Sequence, residues 1–157
     1  MDDEREVRSR IMRAIRGKNT RPELVVRKFL FECGFRYRVH DGRLPGKPDI
    51  VLKRYRTVVM VNGCFWHGHD NCKYYRLPKT NPDFWRTKIE ANRARDARTT
   101  STLRTLGWRV IVIWGCQLKT EELRNKTLRE LADILTGSAP GTESLPSIAA
   151  EPGVLYE

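Results

Sequence analysis

Residues 45–61 read PGKPDIVLKRYRTVVMV, and two β-branched runs within them, DIVL (49–52) and TVVMV (57–61), decide the architecture. Only KRYR (53–56) separates the runs, so they are expected to pair as neighbouring strands. Upstream, HDGRLPGKP (40–48) is a turn-rich loop, and FRYRV (35–39) alternates apolar and basic side chains as a half-buried strand would. Before it, Leu24, Val25, Phe29, Leu30 and Cys33 recur at helical spacing, with Thr20 and Pro22 at the start and Gly34 at the end. That punctuation predicts a helix over 21–33.

Downstream, residues 62–82 (NGCFWHGHDNCKYYRLPKTNP) show neither helical nor strand period. Residues 83–106 look helical at both ends, with Phe84, Trp85 and Ile89 at the start and Leu103 and Leu106 before Gly107. Their middle, which includes TTST (99–102), is weak. WRVIVIW (108–114) is apolar almost throughout, as a central strand covered on both faces should be. Thr120 then caps a last helix carrying Leu123, Leu128, Leu131 and Leu135. The order α-β-β-β-α-β-α, preceded by the basic amphipathic segment RSRIMRAIR (8–16), implies a mixed sheet flanked by helices.

The 157 residues carry 30 Lys+Arg against 19 Asp+Glu, a net charge of +11. Residues 137–157 hold three Pro, three Gly, three Ser and three Glu and no basic residue, which reads as a flexible acidic tail. Residues 1–136 therefore hold 30 basic against 16 acidic residues, or +14, and form the expected folded domain, with 1–19 as a basic leading segment. Such a field attracts polyanions, nucleic acid first among them. Surplus arginine can equally serve solubility, so charge alone does not decide. No apolar run reaches the 18 or so residues of a membrane helix, and the acidic start lacks an apolar secretory core. An intracellular, reducing setting is expected.

Two constellations lie close to the deciding strands. Cys64, His69 and Cys72 sit at short loop spacing, and Cys116 follows the last apolar strand. Four such N/S ligands suit a closed structural zinc that would pin the loop to the sheet. A Cys64–Cys72 disulfide is the competing account, and a reducing compartment disfavours it. The fourth cysteine, Cys33, reads as an inert core thiol. His67 lies between two of these ligands and is either a free acid/base imidazole or a replacement ligand for His69; spacing leaves both open. The second constellation is acidic. Asp49 opens a predicted strand and could ligate Mg2+, or could be a turn residue, while Thr20-x-x-Glu23 is a capping box.

Taken together, PGKPDIV, NGCFWHGH and WRVIVIWGC resemble the very short patch repair (Vsr) family of mismatch endonucleases, from about Met12 to Cys116. The resemblance implies an α/β fold with a restriction-endonuclease-like αβββαβ core and a zinc-stabilised loop. It implies a cytoplasmic, Mg2+-dependent enzyme, working as a monomer, that nicks double-stranded DNA 5′ of the thymine in a T:G mismatch left by 5-methylcytosine deamination. Repair-protein partners are implied as well. By the same resemblance, Asp49 and the backbone carbonyl of Val61 bind Mg2+, His67 is the acid/base, and Glu23 supports the metal through water. Cys64, His69, Cys72 and Cys116 become the zinc ligands. Phe65 and Trp66 become a wedge into the base stack, with Met12, beside Arg13, entering from the opposite groove. Asn62 departs from the pattern, standing where some members have a second histidine. The His69–Cys72 spacing is one residue longer than in some members. A nuclease of the same fold with restriction or junction specificity, or a non-catalytic module that binds distorted DNA, are the rival expectations.

Overall fold

A computed structural model describes residues 4–14 and 18–137. The acidic tail expected over 137–157 therefore lies, Gly137 excepted, outside the described residues. Four helices and four strands follow in the order α1 (Glu4–Ala14), α2 (Arg21–Glu32), β1 (Arg38–Val39), β2 (Ile50–Leu52), β3 (Thr57–Asn62), α3 (Pro82–Thr105), β4 (Arg109–Trp114) and α4 (Glu121–Thr136). Within the basic leading segment expected over 1–19, Glu4–Ala14 is helical. No helix among the described residues is long and apolar enough to cross a membrane.

The two runs that decide the fold do pair. β2 and β3 are antiparallel with Val51 opposite Val58, and a 3-10 turn, Lys53–Tyr55, joins them. Arg56 closes that turn in the left-handed region (φ 48°), and its guanidinium then donates to the Leu106 carbonyl at 2.9 Å and lies over the Trp108 ring. Its own carbonyl accepts from the Arg109 N–H at 2.8 Å, so one residue ties the start of β3 to the start of β4. β1 pairs antiparallel with β2, with Val39 opposite Ile50, and β4 pairs parallel with β3, giving the order β1-β2-β3-β4. The parallel step needs a crossover, and α3 supplies it.

The sheet separates two apolar layers. On one face, Val26 and Leu30 of α2 and Leu128, Leu131 and Leu135 of α4 pack on Ile50, Leu52, Val59 and Ile113. On the other, Leu103 of α3 covers Val51 and Val58, with Met60, Trp108 and Val110 at its margin. Burying a leucine such as Leu131 completely contributes roughly 2 kcal/mol of transfer free energy, and truncating it to alanine costs about 2–5 kcal/mol once the cavity is included.

Three expectations change. β4 is a sheet edge, not a central strand; of its six residues only Ile113 is buried. Its continuous apolar run arises because one face joins each core layer, a pattern that resembles central burial when read in one dimension. β1 is only two residues long, because Phe35 is drawn into the core beside Tyr55, leaving the chain irregular until Arg38. Cys33 is exposed at the end of α2 and is not a core thiol; the buried side of that helix is centred on Glu23, Val26 and Leu30.

Candidate active site and metal centre

Asp49 is placed by the strand pairing. It directly precedes β2, and its Oδ2 accepts a hydrogen bond from the Val61 N–H on β3 at 2.7 Å. The antiparallel register that puts Val39 opposite Ile50 puts His40 opposite Asp49, and the His40 N–H reaches the Asp49 carbonyl at 3.4 Å. From α2, Glu23 completes the group. His40 Nε2 is 3.1 Å from Glu23 Oε2 and 3.8 Å from Asp49 Oδ1. Glu23 is 2% exposed and is held on its other sides by the Asn19 N–H at 3.0 Å, the Thr20 hydroxyl at 3.2 Å and Arg27 at 3.0 Å. Half of the expected capping box is present: the Thr20 hydroxyl accepts from the Glu23 N–H at 3.5 Å, but the Glu23 carboxylate bonds the Asn19 N–H and the Thr20 hydroxyl and not the Thr20 N–H, and it lines a cleft.

Burial pushes the Asp49 carboxyl up to about 6, and the neighbouring Glu23 adds to this; the Val61 N–H and the nearby His40 and His67 pull the other way without cancelling it. A carboxylate so placed suits a cation, which favours its charged form. Ligand atoms of Glu23, His40 and Asp49 all lie within 4.8 Å of one another, close enough for a single ion. The oxygen-rich donor set, lining the cleft, suits a hydrated divalent ion.

His67 stands across the cleft. Its Nδ1 is 2.5 Å from Asp96 Oδ2 on α3, which assigns the proton of that contact to Nδ1 and leaves Nε2 as the basic nitrogen. The loop bearing it lies against α3 because position 68 is glycine. Gly68 has φ +58°, and a Cβ there would stand 2.8 Å from Ile89 Cγ2 and 2.9 Å from Arg93 Cδ. Asn92 donates to the Trp66 carbonyl at 2.9 Å, and Arg93 pairs with Asp70 at 3.0 Å, so one helix grips the loop at several points.

The cleft has a volume of about 1330 Å3, larger than the few hundred to 1,000 Å3 typical of small-molecule sites. Glu23, Asp49, Val61, Asn62, Trp66 and His67 line it, with Met12 of α1 on its rim. Phe65 and Arg13 are not among the lining residues. Phe65 instead joins an aromatic group in edge-to-face contact, 5.2 Å from Trp66 and 5.4 Å from Trp85, with Phe84 beyond at 5.2 Å from Trp85 and more than half exposed. Arg13 is exposed on α1.

Next to the cleft, the ligand atoms of Cys64, His69, Cys72 and Cys116 converge, all within 4.8 Å of one another. Cys116 Sγ is 3.5 Å from His69 Nδ1, which matches the spacing of about 3.5 Å between S and N donors of a tetrahedral zinc. The Cys116 N–H donates to Cys64 Sγ at 3.3 Å, and the His69 ring stacks on Trp114 at 4.0 Å. Burial, reinforced by the Cys64 and Cys72 sulfurs, pushes the Cys116 thiol up to about 12. All four cysteines are free, so the alternative Cys64–Cys72 disulfide is absent.

Reasoning from sequence missed Asp96, His40 and Trp85. Asp96 sits among arginines in the weak middle of α3, and nothing local marks it. His40 carried a signal, as one of only three histidines and the one next to the turn that leads to Asp49.

The model of the DNA mismatch endonuclease Vsr family matches residues 2–73. The DNA mismatch endonuclease Vsr of Escherichia coli is 41% identical over 128 residues, 81% of each chain. The chain belongs to the Vsr family. Among other relatives, the type II nicking enzyme V.NmeAIP of Neisseria meningitidis is 49% identical over 130 residues, covering 80% of this chain and 92% of its own. The type II nicking enzyme V.XorIIP of Xanthomonas oryzae is 48% identical over 128 residues, covering 82% and 93%. As a Vsr-family protein it is a DNA endonuclease related to mismatch repair, and DNA is its substrate.

Proposed function

We propose that this Vsr-family endonuclease nicks one strand of duplex DNA on the 5′ side of the thymine in a T:G mismatch, as a Mg2+-dependent phosphodiesterase with a restriction-endonuclease-like αβββαβ core. One observation carries the reading: the Glu23–Asp49 carboxylates and the His67–Asp96 pair line a single cleft, with an aromatic group beside it. That is the set of groups a phosphodiester hydrolysis needs.

Asp49 and the Val61 carbonyl would hold Mg2+, with Glu23 supporting it through water. When bound, the ion supplies positive charge to the scissile phosphate and to the leaving 3′ oxygen. His67 Nε2 takes the proton of the attacking water while Asp96 holds the ring in the required tautomer and stabilises its charged form. Phe65 and Trp66, backed by Trp85, insert at the base step beside the mismatch, and Met12 enters from the other groove, with Arg13 on the backbone. Wedging costs a few kcal/mol of unstacking and least where pairing is already poor, so a mismatch is selected through its deformability. The cysteine and histidine cluster holds structural zinc and has no open position for chemistry. We place this activity in residues 1–136, acting as a cytoplasmic monomer.

A strand-labelled nicking assay on T:G, A:T and C:G duplexes, with and without Mg2+, tests this. One Mg2+-dependent nick 5′ of the mismatched thymine is expected, and Asp49→Ala and His67→Ala should abolish it. Cleavage of both strands, or variants as fast as wild type, overturns it. The relatives named type II nicking enzymes favour a second reading, in which the flanking sequence of a restriction site matters more than the mismatch; equal nicking of T:G and C:G duplexes would support it.

A further inference from the structure

We infer that His40 is a metal ligand: with Asp49, and with Glu23 binding directly instead of through water, it makes a mixed nitrogen and oxygen site whose preferred occupant is a first-row transition dication such as Mn2+, with Mg2+ the weaker one. The inference rests on the proposal that Asp49 binds the catalytic cation, and specifies what else binds it.

Three observations converge on His40. The first is register. Because Val39 faces Ile50, the imidazole is delivered to the one place in the β1–β2 hairpin that faces Asp49. The second is distance. Cis donors around an octahedral divalent ion with bonds of about 2.1 Å lie about 3 Å apart. His40 Nε2 stands 3.1 Å from Glu23 Oε2 and 3.8 Å from Asp49 Oδ1, and one ligand atom from each residue lies within 4.8 Å of the others. The third is backbone conformation. His40 has φ +46°, a left-handed conformation that L residues adopt at a cost and that is concentrated at functional sites. It is not a free turn residue, since its N–H is engaged with the Asp49 carbonyl.

The donor chemistry then sets the preference. Carboxylates and water suit Mg2+, whereas an imidazole adds affinity for Mn2+, Fe2+ or Co2+ and little for Mg2+. Arg27 is the competitor at this nitrogen, its Nη2 standing 3.5 Å from His40 Nε2. It also donates to Glu23 Oε2 at 3.0 Å and to Asn19 Oδ1 at 2.9 Å, so it offsets carboxylate charge, and an ion held by His40 Nε2 takes the place of its contact with that nitrogen.

The test is metal binding to the zinc-replete, DNA-free protein at fixed pH, read by loss of the free Mn2+ paramagnetic resonance signal and by nitrogen hyperfine coupling to the bound ion. Mg2+ affinity is read by displacement of Mn2+. His40→Asn keeps a residue tolerant of the left-handed backbone, and His40→Gln is the control for side-chain length. Wild type should bind Mn2+ with an imidazole nitrogen coupling. Both variants should lose that coupling and roughly tenfold or more in Mn2+ affinity, with Mg2+ affinity changed by less than about threefold. Absence of the coupling in wild type, or an equal loss for both ions in the variants, overturns the inference and makes His40 a positioning residue for Glu23. Asp49→Asn separates the two claims. If it abolishes binding while the His40 variants bind as wild type does, only the inference fails. Unchanged binding in Asp49→Asn removes the underlying metal proposal as well.

Discussion

Asp49 is held in a state that is poor for folding and good for a cation. Its carboxyl is raised from the ordinary 3.8 to about 6 by burial, so the native chain binds a proton more tightly than the unfolded chain does. The associated stability is present in full below about pH 4 and is lost as pH rises through about 6, on the order of 3 kcal/mol for a shift of this size. Asp49→Asn should therefore raise the melting temperature of the magnesium-free protein by several degrees at pH 7.5. The advantage should vanish near pH 4, and a variant that melts at or below wild type at pH 7.5 contradicts the argument. Asp96 makes a second residue-scale case. Its contact with His67 Nδ1 selects the tautomer, so Asp96→Asn should lower single-turnover nicking by about 100-fold or more and leave DNA affinity nearly unchanged. Local pattern singled out Glu23, Asp49 and His67 by capping, strand start and ligand spacing, but left each an ordinary alternative, and their proposed roles came from the family resemblance. Asp96 was not singled out, because its partner lies 29 residues away across a crossover that no local pattern reports.

Elements were legible to the degree that their environment is local. α2 and α4 carry their own signals, Thr20 and Thr120 at the N-caps and glycine after the last turn, and their extents agree with expectation. α3 is continuous over 24 residues although its middle, through TTST, reads as weak. It persists because tertiary contact overrides propensity: the helix carries the grip on the 62–82 loop through Ile89, Asn92, Arg93 and Asp96, and Leu103 beneath the sheet. That grip is tight at Gly68. Gly68→Ala adds a strained φ and a methyl within 3 Å of Ile89 and Arg93, so loop and helix must separate. Limited proteolysis should then cut the 62–82 loop many times faster than in wild type while β2, β3 and β4 stay protected. Equal cleavage rates would show that the loop is held by its cysteine and histidine cluster alone. The edge position of β4 was illegible for the opposite reason, since an apolar strand shared between two core layers looks the same in one dimension as a central strand.

For the molecule as a whole, charge and shape divide the work of recognition. The +14 carried by residues 1–136 was legible from composition, but not where it would be placed. Lys18, Lys47, Arg93, Arg95 and Arg104 line the same cleft as Asp49 and His67, so the positive field surrounds the few acidic groups that would hold a cation. Contacts of this kind bind phosphates and release counterions, which makes affinity fall with salt without favouring any sequence. Arg95→Ala should thus lower affinity for matched and mismatched duplexes by the same factor and reduce the slope of log K against log salt by about 0.9. Trp66, in contact with Phe65 and Trp85 beside the cleft, should behave in the reverse manner. Trp66→Ala removes stacking and wedging but no charge, so its salt slope should match wild type while its preference for T:G over C:G duplexes falls by tenfold or more, for roughly 1.4 kcal/mol or more of lost discrimination. Binding titrations of both variants on both duplexes at several salt concentrations separate the two effects. A Trp66→Ala protein that loses affinity equally for both duplexes would move mismatch selection away from the aromatic group and onto groove contacts made elsewhere in the cleft.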